Sequence, residues 1–355
     1  MKVVVACGGT GGHSFPGLAV AEELRARGHE VVVWSSGRDV ESSVLKSWNG
    51  EVFPTGARQI ALRSAFSLLR SMWRCRREMK RAKPDALLAM GSYSSLPPVL
   101  AAKRYSVPVF LHEANTVPGK AVEFLSRFAD KVAVSFPETS RYLPDAKTVL
   151  TGLPVRESIS RGRRFGFIPD RAFVIFVTGG SQGAHAVNAL SADAIALMKT
   201  ALDRRGGGGR GLYVIHQTGV ADEGAVMGVY ARHGIPARVH AFENEMADAF
   251  ASADIVIARA GASTCFELAA CGKPALLIPL PTAMRDHQHF NAEAFASKGA
   301  ADEGIQARLS PRQICRYLLD RYDNPAKLAA ASLKMRTLAT PDAAAKVADL
   351  IEGKL

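Results

Sequence analysis

The sequence predicts an α/β chain made of two Rossmann-like domains in tandem, and three observations carry that expectation. Short Val/Ile/Leu-rich runs alternate with helical patterns along most of its 355 residues, as parallel strands buried on both faces require. Two of those runs pass through a glycine-rich turn into a helix, "KVVVACGGTGGHSFPGLAVAEELRARG" from Lys2 and "FVIFVTGGSQGAHAVNALSADAIAL" from Phe173. The length is long for one core and ordinary for two.

In the first half the expected strands are "KVVVAC", "EVVVWS", "ALLAM", "VPVFLH" and "KVAVSF". In the second they are "FVIFVTG", "LYVIHQTG", "RVHAF", "DIVIA" and "PALLIPL". Residues 157–170, "ESISRGRRFGFIPD", are polar, basic and aperiodic, and read as a linker. "RRGGGGR" at 204–210 reads as a surface loop. The last stretch reads as a helix opened by Thr340, with Pro341 suited to its first turn.

Composition narrows the class. The chain is 48% hydrophobic and 22% charged, which is globular and not disordered. No apolar run approaches the roughly 20 residues of a spanning helix, and the N-terminus is too short in apolar residues for a signal peptide, so a cytosolic location is expected. The five cysteines, Cys7, Cys75, Cys265, Cys271 and Cys315, show no metal-ligand spacing and read as reduced small residues. The net charge is +12, and it is concentrated: residues 57–84 carry nine lysines and arginines against one glutamate, a net of +8.

A glycine turn at a helix N-terminus aims backbone N–H groups and the positive dipole end at an anion. The first turn fits the dinucleotide fingerprint poorly. Ser14 stands where its third glycine belongs, His13 fills the loop, and Asp39 follows Arg38 instead of closing the second strand. The turn therefore reads either as a phosphate cradle or as a tight strand–helix joint. The second turn, Gly179 to Gly183, adds a second candidate anion site, and the pair points to a diphosphate ligand. His13, at the mouth of the first helix, is either a turn residue or a general base whose pKa the helix end lowers.

Six segments taken together, "GGTGGHSFPGLAVAEEL", "HEANTVPGKAVEFLSRFADKVAVSF", "LPVR", "GGSQGAHAVN", "ARAGASTCFELAACGKPALLIPLP" and "DHQHFNAEAF", resemble the MurG family. These are UDP-N-acetylglucosamine transferases of peptidoglycan synthesis, and the resemblance runs from residue 3 to about residue 300. It implies a GT-B fold, in which two Rossmann-like domains with parallel sheets flank a cleft. Residues 1–156 would bind the acceptor and the membrane, with helix 341–355 packed back on them, and residues 157–340 would bind UDP-GlcNAc. It also implies an inverting transfer to undecaprenyl-pyrophosphoryl-MurNAc-pentapeptide (lipid I) at the cytoplasmic membrane face, with no cofactor and no metal in the nucleotide site. The absence of an Asp-x-Asp pair from the sequence agrees.

Carried over residue by residue, the resemblance gives Glu267 the ribose hydroxyls. Ala262, Ser263 and Thr264 take the diphosphate, and Cys265 and Phe266 complete the signature. Arg259 is placed for phosphate, Ser181 for the nucleotide, and Gln288 with Asn291 for the donor sugar. Thr10, Gly11, Gly12, Asn115 and Arg156 match positions that meet donor or acceptor, and His13, Glu113 and Tyr93 are the cleft candidates, the first two catalytic. The chain departs from the family pattern at Leu153, Ala114 and Ser92. It departs again at Glu243, a donor-site position beside the uracil that is usually apolar.

The basic stretch has its own logic. Leu62, Ala65, Phe66, Leu69, Met72 and Trp73 fall on one helical face, flanked by Arg63, Arg70, Arg74, Arg76 and Arg77. A basic amphipathic helix with an aromatic residue suits an anionic membrane surface, the alternative being an ordinary domain helix with a solvated basic face. No nucleic-acid recognition motif accompanies the charge. The competing functions are a UDP-sugar epimerase or glycolipid synthase on the same scaffold, an NAD(P)-dependent oxidoreductase, and a non-catalytic binder that uses only the +8 segment.

Overall fold

The computed structural model describes residues 1–8, 11–37, 45, 48–57, 65–144, 147–180, 182–206 and 209–355. The chain divides into two compact units, Met1–Arg156 with Thr340–Leu355, and Glu157–Ala339.

The first unit runs β1 (Lys2–Ala6), α1 (Gly11–Ala26), β2 (Glu30–Ser35), β3 (Glu51–Pro54), α2 (Ala65–Ala82), β4 (Ala86–Ala89), α3 (Leu96–Arg104), β5 (Val109–Glu113), α4 (Lys120–Ser126), β6 (Lys131–Val134) and β7 (Thr148–Leu150). Its seven strands are parallel in the order β3-β2-β1-β4-β5-β6-β7, with Val4 level with Val32 on one side and Leu87 on the other. Alternate residues supply opposite faces. Val3, Val5, Val33 and Leu88 pack with Leu18 and Leu24 of α1, while Val4, Trp34, Leu87 and Leu111 pack with Cys75 and Met79 of α2. Because both faces are covered, these strands read as continuous apolar runs.

The C-terminal helix, Ala343–Ile351, belongs to this unit and adds Val347, Leu350 and Ile351 to the first face. Arg27, just past α1, donates to Asp349 at 2.5 Å and Glu352 at 2.8 Å, and His29 Nε2 lies 2.6 Å from Glu352. Lys354, His29 and Arg27 together hold the Glu352 carboxyl down at about 2.

The second unit repeats the plan: β8 (Phe173–Thr178), α5 (His185–Arg204), β9 (Leu212–Gln217), α6 (Glu223–Arg232), β10 (Ala237–His240), α7 (Met246–Ser252), β11 (Ile255–Ala258), α8 (Ala262–Cys271), β12 (Ala275–Leu277), α9 (His287–Ala296), β13 (Ala301–Glu303), α10 (Pro311–Asp323) and α11 (Pro325–Thr337). The six parallel strands are ordered β10-β9-β8-β11-β12-β13. Ser310 and Gln313 form a capping box ahead of α10, with Pro311 at its first position.

One expected element changes character. Residues 157–170 are not a solvated linker: Ile159, Phe165 and Ile168 are buried, and the Phe165 N–H donates to Ser252 Oγ at 2.9 Å. Three buried apolar side chains in fourteen residues, with Phe167 left 55% exposed, leave no periodicity to read. Helix α2 is seen from Ala65, so Leu62 and Arg63 lie outside the described residues. Among the described residues, no helix is long and apolar enough to cross a membrane.

Candidate active site

In an open parallel sheet, ligands gather beyond the carboxyl ends of the strands where the order reverses. Each unit has one such point, between β1 and β4 in the first and between β8 and β11 in the second. Most of the candidate residues lie on the segments that leave these four strands and their neighbours.

In the first unit the chain leaves β1 under tight constraint. A Cβ on Gly8 would sit 2.7 Å from the Ser36 nitrogen, and one on Gly17 of α1 would sit 2.4 Å from Cys7 Cβ. Glycine therefore lets α1 start close against the strand. Gly11, Gly12 and His13 form its first turn; Thr10 lies outside the described residues. His13 Nδ1 lies 2.8 Å from the Met90 carbonyl oxygen at the end of β4. Arg156 stacks its guanidinium 4.0 Å over the ring of Phe15, two residues on in the same helix. Two residues after Met90, Ser92 takes φ 67° and ψ 161°, and its hydroxyl makes no cap to the short helix that follows. Tyr93 beside it is 37% exposed.

Glu113 closes β5 and is buried. One carboxylate oxygen accepts from Asn115 N at 2.8 Å and Asn115 Nδ2 at 3.1 Å, and the other accepts from Gly119 N at 3.0 Å. Burial pushes the carboxyl above the ordinary range, against the pull of these donors. Its oxygens brace the 113–119 loop and fix Asn115. Its neighbour His112 is buried too, and burial holds its imidazole neutral, down at about 4.

In the second unit, Ser181 lies outside the described residues, and two of the amides around it have protein partners. Gly180 N–H donates to Thr178 Oγ1 at 3.1 Å, and Gly183 N–H donates to the Gly180 carbonyl at 3.0 Å. Those two amides are taken by protein acceptors, one at the end of β8 and one within the turn. The start of α8 is different. Gly261 is its N-cap with no capping side chain, so Ala262, Ser263 and Thr264 present the first turn and the positive dipole end. Glu267 follows three residues after Thr264 and four after Ser263, on the same helix face.

Arg259, between β11 and α8, is buried and donates through Nη1 to the carbonyls of Ile278 and Pro279 at 3.1 and 3.0 Å. Burial lowers its pKa, the expected response of a desolvated cation. Gln288 accepts from Leu280 N at 3.0 Å. Asp286, which precedes α9, and Arg285 before it are both left-handed, at φ 55° and 54°.

Four expected ligand residues are buried against protein partners. Asn291 is 0% exposed and donates to the Ala260 carbonyl at 3.1 Å, which ties α9 to the turn before α8. The Cys265 thiol is fully buried, and desolvation pushes it up to about 12. Phe266 packs edge-on against Phe295 at 5.8 Å. Only the backbone of these last two could meet a ligand. Glu243 is 2% exposed and held by Arg238, so its carboxylate does not line an open base pocket. Sequence reading missed the Met90 carbonyl, Phe15, Gln217 and Arg238. A backbone carbonyl leaves no mark in a sequence, and the other three sit in ordinary helix and strand patterns.

Similarity to known proteins agrees with this plan. The glycosyltransferase family 28 N-terminal domain matches residues 3–134, and its C-terminal domain matches residues 174–350. The UDP-N-acetylglucosamine–N-acetylmuramyl-(pentapeptide) pyrophosphoryl-undecaprenol N-acetylglucosamine transferase of Geobacter sulfurreducens is 38% identical, over 98% of this chain and 97% of its own. Among solved structures, MurG of Acinetobacter baumannii superposes with a TM-score of 0.78 at 32% identity, covering 99% of both chains.

The chain belongs to the MurG family. Its fold is GT-B, with each Rossmann-like unit matching one of the two family domains. The UDP-GlcNAc 2-epimerase of Neisseria meningitidis shares that fold at a TM-score of 0.72 but only 14% identity, covering 99% of this chain and all of its own. That likeness concerns the fold alone. The epimerase alternative has less support than MurG membership.

Proposed function

We propose that this chain moves GlcNAc from UDP-GlcNAc to the 4-hydroxyl of MurNAc in lipid I, giving lipid II and UDP in peptidoglycan synthesis. The observation that carries the reading is the end-to-end likeness to transferases named for that reaction. In a single displacement the acceptor hydroxyl attacks the anomeric carbon, the hydroxyl proton goes to a base, and the C1–O bond to the diphosphate breaks with inversion.

His13 is the base in this reading. A carbonyl can only accept, so the contact with Met90 puts the ring proton on Nδ1 and makes Nε2 the basic nitrogen. The uncapped start of α8, with Arg259 behind it, stabilises the charge that develops on the leaving diphosphate. Glu267 receives the ribose hydroxyls, Gln288 the donor sugar, and Arg156, Asn115 and Tyr93 the acceptor. Glu113 and Asn291 support these contacts from behind.

The membrane contact belongs to α2. Its buried side holds Ser71, Cys75 and Met79, so Leu69 and Trp73 are left 64% and 60% exposed. Arg77 lies 5.6 Å over the Trp73 ring, and Arg70 is exposed beside Leu69. An aromatic and a leucine ringed by arginines suit the cytoplasmic face of an anionic membrane, where each nearby cation adds about 1 kcal/mol.

The deciding experiment incubates the protein with labelled UDP-GlcNAc and a lipid I analogue. Formation of labelled lipid II and UDP is expected, with the donor KM raised strongly by Glu267→Ala. Release of UDP without label on the acceptor, or epimerised UDP-sugar, would defeat the reading.

A further inference from the structure

The second unit holds a partly buried chain of contacts that these assignments leave without a role. Arg238 on β10 lies 4.6 Å over the Phe165 ring and 5.8 Å over Phe167. It grips both oxygens of Glu243, at 2.8 and 3.0 Å. The Glu243 backbone N–H donates to Gln217 Oε1 at 3.3 Å, and Gln217, at the end of β9, donates through Nε2 to the Gly180 carbonyl at 2.7 Å. The last contact lies inside the glycine turn that follows β8.

The turns after β8 and β9 also touch through backbone, with no room for a side chain. A Cβ on Gly183 would lie 2.1 Å from the Thr218 carbonyl oxygen, and one on Gly219 would lie 2.7 Å from that of Gln182. A shift of Gln217 therefore has no slack to dissipate in before it reaches the turn. Glu243 itself is fully committed: besides Arg238, its carboxylate accepts from Glu245 N at 2.9 Å. Burial raises its pKa, but the guanidinium and that amide prevail and hold it charged, below the ordinary range.

We infer that Arg238 and Glu243 are positioning residues for donor binding, acting through Gln217 on the glycine turn. A carbonyl oxygen facing a diphosphate repels it. Two donors, Gln217 Nε2 and Gly183 N–H, hold the Gly180 oxygen inside the turn, and the backbone N–H of Glu243, whose side chain Arg238 clamps, holds Gln217. The inference rests on the transferase reading for the identity of the donor. It also explains a carboxylate at a position that is usually apolar: here the acid serves as a strut, and not as a base contact.

A double-mutant cycle tests it. Glu243→Gln, Gln217→Met and the double variant are compared by UDP affinity in calorimetry and by the KM values for UDP-GlcNAc and lipid acceptor. Each single variant is expected to weaken UDP binding by roughly three- to thirtyfold. The double variant should be no weaker than Gln217→Met alone, and the acceptor KM should not move. Unchanged UDP affinity in folded variants, additive losses, or a parallel rise in acceptor KM overturns the relay. Should Glu243→Gln fail to fold, Arg238→Lys takes its place in the cycle. Wild-type protein that binds UDP without transferring sugar defeats the transferase reading and leaves the relay to be judged by UDP affinity. Wild type that does not bind UDP defeats both.

Discussion

His13 and Met90 are bound to each other across the switch point of the first sheet, imidazole Nδ1 to carbonyl oxygen at 2.8 Å. The contact joins the start of α1 to the end of β4, 77 residues away in sequence. It decides which ring nitrogen is basic, and a backbone carbonyl enforces that choice at every pH where the ring is neutral.

Replacing His13 with Ala should lower kcat by about 10²–10⁴-fold while UDP affinity changes little. Steady-state kinetics alongside calorimetry separate the two effects. A loss under about fivefold would reduce His13 to a turn residue.

Ser92 occupies a backbone region that is essentially reserved for glycine, next to a residue that already is one. Ser92→Gly should stabilise the protein by about 1–3 kcal/mol, read as a higher urea midpoint at unchanged slope. Ser92→Ala retains the strain and should gain nothing. Equal midpoints for all three forms would mean that the backbone here is relaxed.

Acid should weaken the second unit through His216. Burial holds this imidazole neutral down to about 3, from 6.5 when exposed, between Tyr230 OH at 2.8 Å and Asn188 Oδ1 at 3.2 Å. Below pH 6.5 the unfolded chain takes up a proton that the folded one refuses, so stability falls as pH drops from 6.5 towards 3. The slope from this one group is about 1.4 kcal/mol per pH unit. His216→Gln should lower stability at pH 7.5 and remove that part of the slope between pH 6 and 4.5. An identical slope in the variant would show that His216 ionises normally.

Membrane binding should depend on α2 in a salt-sensitive way. Arg70→Glu with Arg77→Glu, or Trp73→Ser with Leu69→Ser, should release the protein from vesicles containing anionic lipid. Wild type should be released as ionic strength rises, since exposed charges are screened over about 8–10 Å. Arg74 is left alone because its guanidinium packs 5.6 Å over Phe53 within the first unit. Turnover should fall on the full-length lipid acceptor and persist on a short-chain one. Equal losses on both would assign the helix to the fold.

Much of this protein is written locally. The ten strands expected from apolar runs all form, because a strand buried on both faces must be apolar throughout. The three that were missed, β3, β7 and β13, are short; β3 and β7 end one sheet and β13 one edge of the other, with Glu51, Glu303 and Thr148 in place of apolar residues. Glycine spacing marked both strand–helix turns, since only glycine permits such close backbone approach. Tertiary structure decided what those turns do. After β8 the Gly180 and Gly183 amides find acceptors in Thr178 and the Gly180 carbonyl, which glycine spacing alone does not foretell. The same holds for Glu113, Asn291 and Glu243. Sequence names a carboxylate or an amide, but its partners lie on other strands and helices, and only the packing of those elements decides between ligand contact and support.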